Sequence, residues 1–125
     1  MKRTNLIIGT RGSKLAMVYA KNVKNKLKKY FPNEIELKKI LTTGDQKKDQ
    51  RLSKIGGKGL FSSQIEKDLL NKNIDIAVHA LKDMPTIETE NLLTNNFLKR
   101  NSPNEILISK NKVKFEDLET DSVVG

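Results

Sequence analysis

Apolar and polar positions change their period along the chain, from strand-like runs to helical spacing and back. Leu6 to Thr10 is a short apolar, β-branched run, closed by Arg11-Gly12-Ser13 and followed by Leu15, Tyr19, Val23 and Leu27 at helical intervals. That succession predicts a strand, a tight loop and an amphipathic helix ending near Tyr30 to Pro32. Ser13 stands where a hydroxyl caps the helix, although Ala16 three residues on offers no capping-box partner. Ile35 to Leu41 alternates in part and predicts a second strand, which runs into the turn-prone Thr42-Thr43-Gly44-Asp45. Gln46 to Lys54 is almost wholly polar and reads as a surface loop.

The second half repeats the scheme. Gly56-Gly57-Lys58-Gly59 precedes Leu60, Phe61, Ile65 and Leu69, a helical pattern that starts either at Gly59 or at the capping box Ser63-Gln64-Ile65-Glu66. Ile74 to Val78 predicts a third strand, and Asp83-Met84-Pro85 breaks the chain after it. Weaker strands are expected around Leu92 to Leu98 and Glu105 to Ser109, with a helical turn near Phe115 to Leu118 and a last strand starting at Ser122. Strands separated by helices imply an α/β fold with a mostly parallel sheet, whose ligands sit at the carboxyl ends of the strands. The loops Thr10 to Ser13, Thr42 to Asp45 and His79 to Asp83 all leave strands in that direction, so three polar loops are expected to converge on one site. The finish, Asp121-Ser122-Val123-Val124-Gly125, is apolar and strand-like, which reads as a truncated chain.

Composition narrows the chemistry. The chain has 125 residues and no cysteine, so disulfides, thiolate metal sites and a cysteine nucleophile are excluded within it. His79 is the only histidine, which excludes a multi-histidine metal site; no metal is expected. No apolar run approaches the roughly 20 residues of a membrane span, and the start lacks a signal-peptide core, so a cytoplasmic protein without membrane contact is expected. The net charge of +9 raises a polyanionic partner. Its lysines, however, are spread over the whole chain, with no arginine stripe or interleaved aromatics, and a nucleic-acid partner is not expected.

Three motifs carry candidate chemistry. Thr10-Arg11-Gly12-Ser13 puts a guanidinium, a hydroxyl and free backbone N–H groups at a helix start, fit for a carboxylate or phosphate, or else merely a strand-to-helix turn with a solvated arginine. Lys54-Ile55-Gly56-Gly57-Lys58-Gly59 offers flexible backbone and two ammonium groups but lacks P-loop spacing, and taken alone it favours a plain flexible loop. Asp75-Ile76-Ala77-Val78-His79-Ala80-Leu81-Lys82-Asp83 delivers a basic and an acidic residue side by side at a strand end. There a lysine can bind anionic groups while the carboxylate moves a proton or stabilises a developing cation. His79 reads as a hydrogen-bonded structural residue.

Together and in this order, Gly9-Thr10-Arg11-Gly12-Ser13-Lys14-Leu15-Ala16, Thr42-Thr43-Gly44-Asp45, Lys54-Ile55-Gly56-Gly57-Lys58-Gly59-Leu60-Phe61 and Asp75 to Pro85 resemble the porphobilinogen deaminase family, also called hydroxymethylbilane synthases. The resemblance runs from about Leu6 to Gly125. It implies a transferase of tetrapyrrole (porphyrin and heme) biosynthesis that condenses four porphobilinogen molecules into hydroxymethylbilane with release of ammonia, monomeric at full length. By resemblance Asp83 is the catalytic carboxylate, Arg11, Ser13 and Lys82 hold cofactor and substrate carboxylates, and Asp45, also assigned to cofactor binding, matches the loop that covers the site. Lys54 and Lys58 belong to the loop and the glycine-rich turn that meet the substrate.

The implied cofactor is a covalently attached dipyrromethane, whose attachment cysteine is absent from this chain. The implied fold is like the type II periplasmic binding proteins, here incomplete: residues 1–98 would hold most of domain one and 99–125 the crossover and start of domain two. A fragment of this extent is expected to be inactive alone. The alternative is a non-enzymatic carboxylate- or anion-binding module of the periplasmic-binding type. Asp83 argues against it, because a carboxylate beside an anion-binding lysine repels the anion.

Overall fold

A computed structural model describes residues 4–46 and 59–123. Strand β1 (Leu6–Arg11) leads through Gly12 and Ser13 into helix α1 (Lys14–Leu27), and strand β2 (Ile35–Ile40) follows. Then come a short helix α2 (Thr43–Gln46), helix α3 (Ser63–Leu70), strand β3 (Ile76–Ala77) and a 3-10 turn over Leu81–Asp83. The three strands form one parallel sheet in the order β2-β1-β3. The α/β class and parallel sheet expected from the alternating pattern are therefore present among the described residues. β1 is central because its residues are apolar on both faces, as a doubly covered parallel strand requires.

Side-chain parity along β1 sorts the two helices. Ile7 packs with Ile40, Ile65, Ile74, Leu69 and Ala77, the apolar cluster beneath α3. Ile8 and Thr10 point to the opposite face, where the Thr10 hydroxyl donates to the Ala16 carbonyl of α1 at 3.3 Å. Thr10 and Ile8 are fully buried there, as is Ala20 of α1. Gly9 lies on the α3 side, and a side chain there would collide with Ile74 and stand 3.0 Å from Ile40 Cδ1.

Ser13 caps α1 as expected, its hydroxyl accepting from the Ala16 N–H at 3.3 Å. The expected buried stripe of α1 is corrected, however. Leu15 and Tyr19 are exposed, and the helix meets the sheet through Ala16, Ala20, Val23 and Leu27. Small residues win at the near end because the Thr10 to Ala16 hydrogen bond requires the backbones to lie close together. The last turns are closed by Tyr30 N–H and Phe31 N–H donating to the Leu27 carbonyl.

Of the two expected starts of α3, the one at Ser63 is observed and the one at Gly59 is not. Gly59, at φ 75°, opens a turn whose carbonyl accepts from the Ser62 and Ser63 N–H groups, and Ser62 is the N-cap without a side-chain cap bond. The capping box does not form, since Glu66 instead accepts from the Thr89 hydroxyl at 2.9 Å. β3 is shorter than Ile74 to Val78, although Asp75 N–H to the Ile7 carbonyl and Val78 N–H to the Gly9 carbonyl continue its ladder. The Asp75 carboxylate adds one further link, accepting the Ile7 N–H at 2.8 Å.

The chain divides into two compact units, the first ending at Thr94 and the second beginning at Asn95. Among the described residues of the second unit there are 3-10 turns at Lys110–Lys112 and Phe115–Asp117 but no strand. The strands expected at Leu92 to Leu98 and Glu105 to Ser109 are thus corrected, while the one expected from Ser122 lies in part outside the described residues. A strand exists only with a hydrogen-bonded neighbour, and these segments have none among the described residues. The helical turn expected at Phe115 is present. No described helix is long and apolar enough to cross a membrane.

Candidate functional site

β1 lies between β2 and β3, and the three parallel strands direct the loops at their carboxyl ends to one edge of the sheet, where ligands of such sheets sit. Arg11 is the last residue of β1 and, by its parity, faces the α3 side. Its Nη2 donates to Asp45 Oδ1 at 2.6 Å and its Nε to Asp45 Oδ2 at 3.2 Å, a bidentate fork. Its remaining terminal nitrogen, Nη1, is 3.7 Å from Asp83 Oδ2, an ion pair too long for a hydrogen bond. The guanidinium carbon lies 3.9 Å from the centroid of the Phe61 ring, within cation–π range. Three loops that follow three strands therefore meet at one guanidinium.

Asp45 is held from its other side as well. The Thr42 hydroxyl donates to Asp45 Oδ2 at 2.7 Å and accepts the Asp45 N–H at 3.3 Å. Thr42 is fully buried. The hydrogen bond from Arg11, and then that from Thr42, hold the Asp45 carboxyl below the ordinary carboxylate range, against the opposing effect of burial. Arg11 is correspondingly raised, chiefly by its bond to Asp45. Gly44, one residue before Asp45, lies against Phe61: a Cβ there would stand 2.6 Å from the ring's Cδ1 and Cζ. The Gly44 N–H donates to the Leu60 carbonyl at 2.9 Å, tying α2 to the segment that carries Phe61.

Asp83 closes the 3-10 turn after β3, its side chain 23% exposed against 12% for Asp45. The more open carboxylate is the less compensated one. Arg11 thus faces two carboxylates, and this trio carries one net negative charge, a setting that favours N–H-rich or cationic groups near Asp83. His79, between β3 and that turn, has an Nε2 that is buried without a hydrogen-bond partner among the described residues. Burial pushes the imidazole below its usual range and keeps it neutral, while Glu66 and Asp83 pull the other way. The hydrogen-bonded role expected of His79 is therefore not seen at Nε2.

A model of the family described as porphobilinogen deaminase, dipyromethane cofactor binding domain, matches residues 6–125. The chain belongs to the porphobilinogen deaminase family. It is 47% identical over 126 residues to the porphobilinogen deaminase of Bacillus subtilis (strain 168), a match covering 100% of this chain and 40% of that protein. With the porphobilinogen deaminase of Chlorobium chlorochromatii (strain CaD3) it shares 49% over 117 residues, 93% of this chain and 37% of the relative. With that of Staphylococcus aureus (strain N315) it shares 44% over 121 residues, 96% of this chain and 39% of the relative. The chain spans about two fifths of the length of these curated relatives.

Of the site residues expected for a porphobilinogen deaminase, Arg11, Asp45 and Asp83 come together directly. Lys82 adjoins Asp83 but is exposed and makes no hydrogen bond or ion pair among the described residues. Ser13 sits at the start of α1 with its oxygen engaged as the cap. Lys54 and Lys58 lie outside the described residues. Sequence reasoning missed Thr42 and Phe61 as parts of the site. A signal for Thr42 was present, because Thr42-Thr43-Gly44-Asp45 has the hydroxyl-x-x-acid spacing of a helix cap. Nothing in periodicity distinguishes Phe61 from an ordinary core aromatic.

Proposed function

We propose that this chain is the front segment of a porphobilinogen deaminase, a transferase that joins four porphobilinogen molecules head to tail into hydroxymethylbilane and releases ammonia each time. The observation that carries the reading is the unequal pairing of two carboxylates: Asp45 is locked onto Arg11, while Asp83 stands 3.7 Å off and remains open to a substrate N–H. In each round the aminomethyl C–N bond of porphobilinogen breaks and Asp83 hands a proton to the departing amine. As a carboxylate, Asp83 then accepts the N–H of the cationic pyrrole left behind. A free ring carbon of the acceptor pyrrole attacks that cation, a carbon–carbon bond forms, and the ring carbon gives up its proton to the Asp83 carboxylate, which is thereby reprotonated for the next departing amine.

The residues present fit a dipyrromethane primer by their chemistry. Lys82, the Ser13 hydroxyl and the Nη1 edge of Arg11 suit its acetate and propionate arms, with Asp45 fixing Arg11, and Asp83 suits its pyrrole N–H groups. When bound, the primer supplies the first acceptor ring. Its attachment cysteine is not among these 125 residues. Lys54 and Lys58 are assigned to the substrate's carboxylates on the family motif alone. A fold like the type II periplasmic binding proteins, with residues 1–98 in domain one and 99–125 opening domain two, and a cytoplasmic, monomeric whole enzyme without nucleic acid complete the reading. Plain anion capture fits less well, since it leaves the open Asp83 carboxylate beside Lys82 without a purpose.

The test is the polypeptide read to its own stop codon, purified and supplied with porphobilinogen. Wild type should release one ammonia per porphobilinogen consumed, and Asp83→Asn should be slower by about 10²-fold or more. An Asp83→Asn protein within about threefold of wild type would sink the assignment. The 125-residue segment alone should make no porphyrin; porphyrin formation by it would overturn its expected inactivity.

A further inference from the structure

Arg11 has five N–H donors, and how they are shared decides what it can do for Asp83. Nε and one terminal nitrogen are committed to Asp45, and the face of the guanidinium is committed to Phe61. Nη1 alone is directed at Asp83, at 3.7 Å. This division holds only while Asp45 keeps its orientation, because a carboxylate on a short helix can otherwise rotate and release one of its two bonds. The group that prevents rotation is the Thr42 hydroxyl, which bonds Asp45 Oδ2 at 2.7 Å and the Asp45 N–H at 3.3 Å. Oδ2 is also the oxygen that receives Arg11 Nε, so a single atom joins the two locks. Thr42 is fully buried, so its hydroxyl reaches that oxygen from the protein interior.

We propose that Thr42 is a positioning residue of this site: by locking Asp45 onto Arg11, it aims the single Nη1 edge of the guanidinium at Asp83. This rests on the proposed role of Asp83. A substrate N–H arriving at Asp83 then meets a carboxylate whose second neighbour is fixed, and Arg11 is prevented from forking onto Asp83 and quenching it. The bland alternative is a buried hydroxyl that merely closes the turn into α2. The two differ in what its removal does beyond stability.

Thr42→Val removes the hydroxyl at nearly constant volume, and Thr42→Ser keeps the hydroxyl and loses the methyl. In the full-length polypeptide, Thr42→Val should lower kcat about tenfold, the worth of one hydrogen bond to a charged group expressed in the transition state, with KM within about twofold. Thr42→Ser should restore kcat to within about twofold of wild type. The second readout needs no turnover: the Arg11 Nε–H resonance of ¹⁵N-arginine-labelled protein, assigned by its loss in Arg11→Lys. Its exchange with water should be slow in wild type and Thr42→Ser, and at least about tenfold faster in Thr42→Val.

Unchanged kcat and unchanged Nε–H exchange in Thr42→Val would overturn the proposal, as would a Thr42→Ser protein as slow as Thr42→Val. Should Thr42→Val not fold, Thr42→Ser decides by itself, and a tenfold loss of kcat in it refutes the hydroxyl's role. A wild-type polypeptide that consumes no porphobilinogen refutes the proposed function instead and leaves the exchange measurement to decide on Thr42.

Discussion

Replacing Gly44 with alanine sets two effects against each other, and the geometry says which wins. Gly44 lies in the helical turn of α2, so a methyl there takes freedom from the unfolded chain and by itself stabilises by about 0.5–1 kcal/mol. The same methyl would stand 2.6 Å from two carbons of the Phe61 ring and nearer still to a third. Carbon atoms settle at about 3.5–4.0 Å, so the ring must retreat by about 1 Å. Overpacking of this kind costs about 1–3 kcal/mol. The retreat also disturbs the 3.9 Å stacking of Arg11 on the ring, an interaction worth about 0.5–1 kcal/mol.

The net expectation for Gly44→Ala is a destabilisation of about 1–2 kcal/mol, with overpacking outweighing the entropy gain. Urea unfolding of Gly44→Ala, Phe61→Leu and the double variant, with unchanged slopes, measures it. In the Phe61→Leu background the added methyl has room, so there its cost should vanish or turn into a gain of about 0.5 kcal/mol. A Gly44→Ala protein as stable as wild type, or one whose cost is equal in both backgrounds, would refute the reasoning.

Further expectations concern charge and capping. The Asp45 carboxyl sits below its usual value of 3.8 when folded, so its contribution to stability is full above that value and lost as pH falls through the lower folded one. Asp45→Asn should therefore lower Tm at pH 7, and the gap to wild type should close on acidification below about pH 4; a widening gap contradicts the pairing. His79 is pushed below its usual 6.5, so the unfolded chain takes up its proton first and stability falls as pH drops beneath that value. Wild type should lose Tm between pH 7.5 and 5.5 and His79→Asn should lose less, with equal losses ruling out a buried neutral imidazole. Ser13→Ala removes the cap of α1 and should cost about 1 kcal/mol by urea unfolding, while a cost below about 0.3 kcal/mol would mean the 3.3 Å bond contributes nothing.

The order β1, α1, β2 is legible in the sequence because strand and helix periods are local signals, and the convergence of three loops follows from the polarity of parallel strands. Long-range pairing is what the pattern does not carry. Arg11 and Asp45 are 34 positions apart, and nothing in the spacing of either says that they form a fork. The buried face of α1 was misjudged for a related reason: hydrophobic size favours Leu15 and Tyr19, whereas close approach to β1 favours Ala16 and Ala20. The segments near Leu92 and Glu105 have strand-like composition, but composition supplies no partner strand. Phe61 is decided by what lies on either side of its ring, Gly44 and Arg11, both remote from it in sequence.

The link from the Ile7 N–H to the Asp75 carboxylate bears on the chemistry at the other end of the sheet. β3 pairs over two residues, too few to define its register against β1 by backbone bonds alone. Asp75 acts as a key: slipped by one position, Ile74 or Ile76 would face the Ile7 N–H with no acceptor to offer. Such a slip would carry the following chain along by about 3.3 Å, nearly the whole 3.7 Å that separates Asp83 from Arg11. The alignment of Asp83, the carboxylate proposed to react, is therefore set in part by an exposed side chain eight positions upstream, and damage to Asp75 should be felt as misalignment at Asp83.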